Sequence, residues 1–167
     1  MPLNASLNAL KFLIERYDGE QDREQLHRSL REQLRREIAL NEALVKEARR
    51  ISKNGDDATQ PILTRLSSAT FDSLGALGVP LADLFATNTW STAQSVFPDK
   101  PGNKQHRQHL AKIQTRSDLI ERTYHRLIFR RICAENSVLK RRNTLTNLEK
   151  LLAESKYAIT GKSGPAP

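Results

Sequence analysis

The chain has 167 residues, of which 38% are apolar and 28% are charged, and its formal net charge is +8. These proportions are typical of one globular domain, and the single cysteine, Cys133, excludes a fold held together by internal disulfides. The longest weakly charged stretch, residues 66–82, is interrupted by Asp72 and two glycines, whereas a membrane span needs about 20 mostly apolar residues. Residues 1–10 lack the basic start and the small-residue cleavage site of a secretion signal. We therefore expect a cytoplasmic protein that does not contact membranes.

Two helices are predicted in the first third of the chain. Apolar residues recur at steps of three and four from Leu3 to Tyr17, which is the spacing of one helical face and predicts a short first helix. The same spacing resumes after Glu20 and continues to Asn54, so the second helix should span about 30 residues. Its outer face alternates Glu and Arg at i,i+4 steps. We expect this face to be solvated and not to form a site.

The middle of the chain, residues 58–103, is poor in charge and predicts a small helical module. A helix is expected to begin near Pro61, because proline is tolerated in the first turn of a helix. A shorter helix is expected to begin at Pro80. The segment from Thr89 to Phe97 should form one or two helical turns before a proline-rich break.

Helix-forming residues dominate residues 104–157, which contain neither proline nor glycine. They predict one long helix, or two or three collinear helices with candidate restarts at the capping sequences that begin at Thr115 and Thr146. No stretch of the chain alternates apolar and polar residues as a strand does, and residues 161–167 have the composition of a disordered tail. The predicted fold is all-α, an elongated helical bundle with two long amphipathic helices and a small middle module. Its predicted segments are 1–57, 58–103, 104–160 and 161–167.

The excess of positive charge is confined to the last third of the chain. Residues 1–57 hold eleven basic and eleven acidic side chains, residues 58–103 hold two and three, and residues 104–167 hold fourteen and five. This asymmetry favours a polyanionic partner, with nucleic acid, above all DNA, first and an acidic protein second. The alternative is a solvated basic helix face that has no partner. Several arginines recur there at i,i+4 steps, and arginine suits bidentate contact with phosphate. The predicted phosphate contacts are Arg122, Arg126, Arg130, Arg131, Lys140, Arg141 and Arg142.

Patterns that would indicate catalysis or metal binding are weak. His106 and His109 are spaced so that both can lie on one helical face, as are Glu121 and His125, but a closed metal site needs three or four converging ligands. No turn or helix start exposes the thiol of Cys133, and no glycine-rich phosphate loop follows a strand. We therefore expect a non-enzymatic protein with no metal and no cofactor.

Two segments resemble parts of known DNA-binding proteins. Residues 74–85, which read LGALGVPLADLF, resemble the closing helices of repressor-type helix-turn-helix domains, although the same pattern also joins two ordinary helices at a steep angle. Residues 91–95, followed by a basic helix that contains residues 134–140, are similar to small accessory DNA-binding proteins of bacterial mobile elements, which have a helix-turn-helix-like head and a coiled-coil tail. The resemblance implies DNA binding and a role in the regulation of a mobile element.

The competing interpretation is a helical scaffold that acts through protein contacts without nucleic acid. The two long helices can pack antiparallel, with residues 58–103 as a cap. Ile128 and Ile132 lie beside the main apolar stripe of the basic helix, so a second copy or a partner chain would cover surface that one chain leaves exposed. We therefore expect a homo-oligomer. Trp90 is interpreted either as an anchor for such a partner or as a core residue.

Overall fold

The computed structural model describes residues 20–52, 56–138 and 143–160. The prediction of an all-α fold is confirmed, because these ranges contain helices and turns and no strand beyond one isolated bridge between Thr89 and Thr115. None of the described helices is long and apolar enough to cross a membrane. The predicted first helix, residues 3–17, and the predicted tail lie outside the described residues.

The helices are α1 (Glu20–Ile51), α2 (Asp56–Leu63), α3 (Ala69–Ala76), α4 (Lys104–Leu110), α5 (Arg116–Glu135) and α6 (Asn143–Thr160), with 3₁₀ turns at Leu81–Leu84, Thr92–Gln94 and Pro101–Asn103.

The long charged helix predicted after Glu20 is α1, and its 32 residues agree with the predicted length. Its apolar residues at steps of three and four form one buried face against the rest of the protein. The face begins with Leu26, Leu30 and Leu34, all buried. The Glu and Arg residues of the outer face form short ion pairs with each other, as between Arg36 and Glu32.

Three long helices form the frame of the molecule. α6 runs antiparallel to α1, because Glu42 pairs with Lys156 whereas Arg49, two turns later in α1, pairs with Glu149, two turns earlier in α6. α5 and α6 form a helical hairpin. Its register is fixed by a buried hydrogen bond of 2.8 Å between the hydroxyls of Thr123 and Ser155.

The prediction of one long helix or collinear helices over residues 104–157 is wrong. The chain restarts at α5, where the hydroxyl of Thr115 accepts a hydrogen bond of 3.1 Å from the backbone N–H of Asp118, as its capping sequence predicts. It then reverses between α5 and α6, and α6 begins at Asn143, three residues before the restart predicted at Thr146. The physical reason is burial, because α5 and α6 cover each other's apolar faces only if the chain turns back.

The middle segment differs from the prediction at its start. The helix expected to begin near Pro61 begins at Asp56 and contains Pro61 in its second half, where the proline forgoes one backbone hydrogen bond of a short helix. The expectation at Pro80 is confirmed in position, since this residue caps the 3₁₀ turn Leu81–Leu84. The segment after Thr89 contributes the 3₁₀ turn Thr92–Gln94.

The described residues bury two apolar clusters. The larger one joins α1, α2, α3, α5 and α6, so the middle segment shares the core of the long helices. The smaller one surrounds Trp90, which is 5% exposed and is therefore a core residue. α6 contributes to both clusters, with Leu148 and Leu152 in the larger and Leu151 and Ala158 in the smaller.

Candidate nucleic-acid interface

The rotation of α5 about its axis decides which of its basic residues face solvent. The fully buried ring of Tyr124 stacks on Phe71 with ring centres 4.4 Å apart, and its hydroxyl donates a hydrogen bond of 2.6 Å to Glu37 on α1. Leu119, Leu127 and Thr123 are buried on the same side. The opposite side of α5 is consequently the exposed face.

The predicted arginine stripe is divided by this rotation. Each i,i+4 step turns about 40° around an α-helix, so three such residues do not stay on one line. Arg122 and Arg126 are exposed, whereas Arg130 is only 8% exposed because it lies on the side that packs against the bundle.

Arg131 is also turned toward the protein. Its guanidinium donates to the backbone carbonyl of Leu66 at 3.0 Å and to the hydroxyl of Ser68 at 3.2 Å. These bonds satisfy polar groups in the bend between α2 and α3. Arg131 therefore stabilises the fold. The three remaining predicted contacts, Lys140, Arg141 and Arg142, lie outside the described residues.

Arg122 forms an i,i+4 ion pair with Asp118, with 2.8 Å between the guanidinium Nε and the carboxylate. The side chain of Arg122 remains 49% exposed. Exposed pairs of this kind contribute about 0.3–0.5 kcal/mol, so a phosphate group can compete with the carboxylate for this guanidinium.

Arg126 lies at a small cleft between α4, α5 and α6, with a volume of about 70 Å³. On α4, the ring Nδ1 of His109 lies 2.9 Å from the backbone carbonyl of Gln105, which leaves Nε2 for another partner. Among the residues that the structure describes, no carboxylate lines the cleft. The lining residues are Gln105, His106, His109, Arg126, Asn147 and Leu151.

A buried polar cluster includes His106, which is one of the residues that line the cleft. Glu154 of α6 is fully buried and accepts hydrogen bonds from the hydroxyl of Ser95 and from the N–H of Val96, the latter at 3.2 Å. The Nε2 of His106 lies 3.5 Å from the same carboxylate. The loop before α4 is thereby fixed to α6, which positions α4 beside α5.

The described part of the last third keeps a positive balance. Residues 104–138 carry eight lysines and arginines and three carboxylates. Some of these cations serve the fold, as Arg107 does by donating to the carbonyl of Phe97 at 2.8 Å. Lys104, Lys112 and Arg126 are exposed and form no ion pair within the described residues.

Sequence reasoning predicted Arg126 but missed the residues that meet it. Gln105 and Asn147 are polar and uncharged, and they lie 42 positions apart on helices that were expected to be collinear. Only the reversal between α5 and α6 brings them together. Within the described ranges, no three His, Cys, Asp or Glu side chains converge in a way that could hold a metal ion.

The segment that resembles a helix-turn-helix forms α3 followed by one 3₁₀ turn, Leu81–Leu84. α3 ends in a Schellman motif, in which the N–H of Val79 bonds to the carbonyl of Leu74 at 3.0 Å and Gly78 has a φ of 66°.

The chain matches no family model, no curated protein and no solved structure.

Proposed function

We propose that the protein is a non-enzymatic nucleic-acid-binding protein, with DNA as the first candidate, and that the exposed face of α5 and the cleft beside α4 contact phosphates. The proposal rests on one observation: Arg126 and His109 line the same cleft, and no carboxylate of the described residues lines it with them. A guanidinium with no ion-pair partner among the described residues is available for a charge-assisted bond to a phosphate oxygen.

The surroundings of the cleft favour the same chemistry. Arg122 lies one helical turn before Arg126 on α5, and Lys104 and Lys112 flank α4. The sequence adds the cations of residues 140–142, which follow α5 along the chain. Basic residues on adjacent elements give the sequence-independent attraction that positions a protein on a nucleic-acid backbone.

The experiment is a binding titration at salt concentrations from about 50 to 200 mM, since each neutralised phosphate contributes about 0.9 to the log–log slope for duplex DNA. Wild type is compared with the double variant R122E/R126E on a duplex and on a single strand of equal length. We expect the double variant to lose at least tenfold in affinity and to show a shallower salt slope. Arg130 is left unchanged, because a carboxylate at this buried position would impair folding.

The matched control is R36E/R50E on α1, which makes the same change in net charge. Both side chains are more than 70% exposed, at 74% and 72%, and they lie on the neutral outer face. Its affinity should stay close to that of wild type. An equal loss in both variants, or an affinity independent of salt, would refute the proposal.

The second candidate function is a self-associating scaffold, which a different observation favours. Phe129, Ile132 and Val138 are exposed by 66%, 48% and 49%, and all three lie on or just after the second half of α5. Exposed apolar groups of this kind are typical of protein contacts. Sedimentation of the protein at tens of micromolar tests this candidate. A species of 18.9 kDa would be a monomer and would count against self-association.

A further inference from the structure

Phe129 is the most exposed of the large apolar side chains in the described ranges, at 66%. The fold does not need its ring, because the buried side of α5 is complete with Leu119, Ile120, Tyr124 and Leu127. The other aromatic residue of α5, Tyr124, is fully buried. The exposed ring therefore calls for an explanation outside the core.

Three neighbours of Phe129 on the exposed face are cationic or titratable, and a fourth, Ile132, is apolar. Arg126 precedes it by three residues, His125 by four and Arg122 by seven, and all three are exposed. These intervals place side chains on one helical face within two turns, about 11 Å along the axis. The aromatic ring thus lies at the C-terminal end of a row that contains two guanidiniums and an imidazole.

This combination has a known use in recognition. Unpaired bases stack on aromatic side chains, while basic residues beside the ring contact the phosphates of the same strand. A duplex offers no free base face to such a ring, because its bases are already stacked on each other. An exposed ring beside arginines consequently favours single-stranded over double-stranded nucleic acid.

We propose that Phe129 is a stacking platform for an unpaired base, with Arg122 and Arg126 on the adjacent phosphates, so that the protein prefers single-stranded nucleic acid. The inference rests on the proposed function and deepens it, because it names the form of nucleic acid that the exposed face of α5 takes. Charge complementarity supports this occupant over a second copy of this basic chain, since the copy would desolvate the exposed Arg126 without supplying a partner charge.

The test measures the affinity of the full chain for a labelled oligothymidylate and for a duplex of the same length, at one salt concentration. The variant F129L keeps an apolar side chain of similar size and removes the ring, whereas F129Y keeps the ring. Loss of one stacked base corresponds to roughly a five- to 150-fold loss in affinity. We expect F129L to lose at least fivefold on the single strand and nothing on the duplex, and F129Y to bind like wild type.

I132A is the matched control, because it shortens an exposed apolar side chain one turn further along α5 and leaves the ring in place. It should bind the single strand like wild type. Equal losses in I132A and F129L would indicate a general apolar contact and overturn the inference, as would a wild-type dimer that F129L converts to a monomer.

The two proposals fail in different ways. If neither oligonucleotide binds, the proposed function fails and the stacking inference fails with it. If both bind with a steep salt dependence and F129L retains full affinity for the single strand, only the stacking inference is refuted.

Discussion

The hydroxyl of Tyr124 on α5 donates to the carboxylate of Glu37 on α1 across 87 positions of sequence, with 2.6 Å between the oxygens. The second carboxylate oxygen accepts from the hydroxyl of Ser67 at 3.0 Å and from the N–H of Thr70 at 2.8 Å. One buried carboxylate thus joins the two helices and caps the first turn of α3, where the side chain of Ser68 instead donates to Asp72.

Replacement of Glu37 by Ala should destabilise the protein by about 2–4 kcal/mol, because one buried and two partly buried donors would lose their acceptor. Y124F removes one of the three bonds and leaves the other two, so its cost should be near 1 kcal/mol. Urea denaturation monitored by circular dichroism measures both values. A cost for E37A no greater than that for Y124F would contradict the assigned role of the carboxylate.

The same contact predicts how stability depends on alkaline pH. Burial, followed by the negative charge of Glu37, raises the pKa of Tyr124 well above its usual value near 10. Because the folded state favours the protonated phenol, this contribution is complete below pH about 10 and is lost as pH rises above that value. Wild type should therefore lose more stability than Y124F between pH about 9 and 11. Equal losses in the two proteins would show that folding does not raise the pKa of Tyr124.

Glu42 gives the corresponding prediction in acid. Burial would raise the pKa of its carboxyl, but hydrogen bonds from Lys156 and Lys46 outweigh burial and lower the pKa below its usual value. A lowered pKa stabilises the folded state above the unfolded pKa, and this contribution is lost as pH falls through the folded pKa. E42Q should show a smaller loss of stability than wild type on acidification from pH about 6 to 3. Parallel stability profiles of the two proteins would refute this prediction.

Glu154 should control the loop that contains Ser95 and Val96. E154A removes the acceptor of both residues and leaves His106 without its nearest carboxylate. We expect the amide of Val96 to exchange its hydrogen at least tenfold faster, because its bond to Glu154 of 3.2 Å is lost. Hydrogen exchange followed by mass spectrometry measures this rate. Unchanged exchange in E154A would show that other contacts hold the loop.

The glycines at the end of α3 provide a matched pair. Gly78 has a positive φ of 66°, whereas Gly75 lies within α3, and an added Cβ would meet no atom within 4 Å at either position. G78A should therefore cost about 1–2 kcal/mol from backbone conformation alone. G75A should stabilise the protein by about 0.5–1 kcal/mol, because alanine favours the helix. Thermal melts of both variants decide the matter, and shifts of the same sign would contradict it.

Periodicity was sufficient to predict α1, because a long amphipathic helix encodes its length in its own apolar spacing. The restart at Thr115 could be predicted for a similar reason, since its capping bond reaches only three residues along the chain. The reversal after Glu135 has no such local signal, because neither proline nor glycine marks it. It follows instead from contacts between α5 and α6, such as the bond from Thr123 to Ser155.

The same distinction, between patterns that lie in the local sequence and contacts that only the folded chain makes, applies to the candidate site. Arg122 and Arg126 could be found from their spacing, whereas the inward position of Arg131 depends on carbonyls of the bend before α3 that only the folded chain brings near. The exposure of Phe129 is equally a property of the folded chain, because aromatic residues in a sequence are expected in the core. The cleft beside α4 requires the packing of three helices, and no sequence interval encodes it.

α6 contributes side chains to both apolar clusters, and this arrangement affects the cooperativity of unfolding. Detachment of α6 would expose Leu148 and Leu152 together with Leu151 and Ala158, so neither cluster can open through α6 without the other. We therefore expect the loop around Trp90 to unfold together with the frame of α1 and α5 whenever α6 detaches. The cleft and the exposed face of α5 are held in place by the global stability of the molecule instead of by a separately folding subdomain.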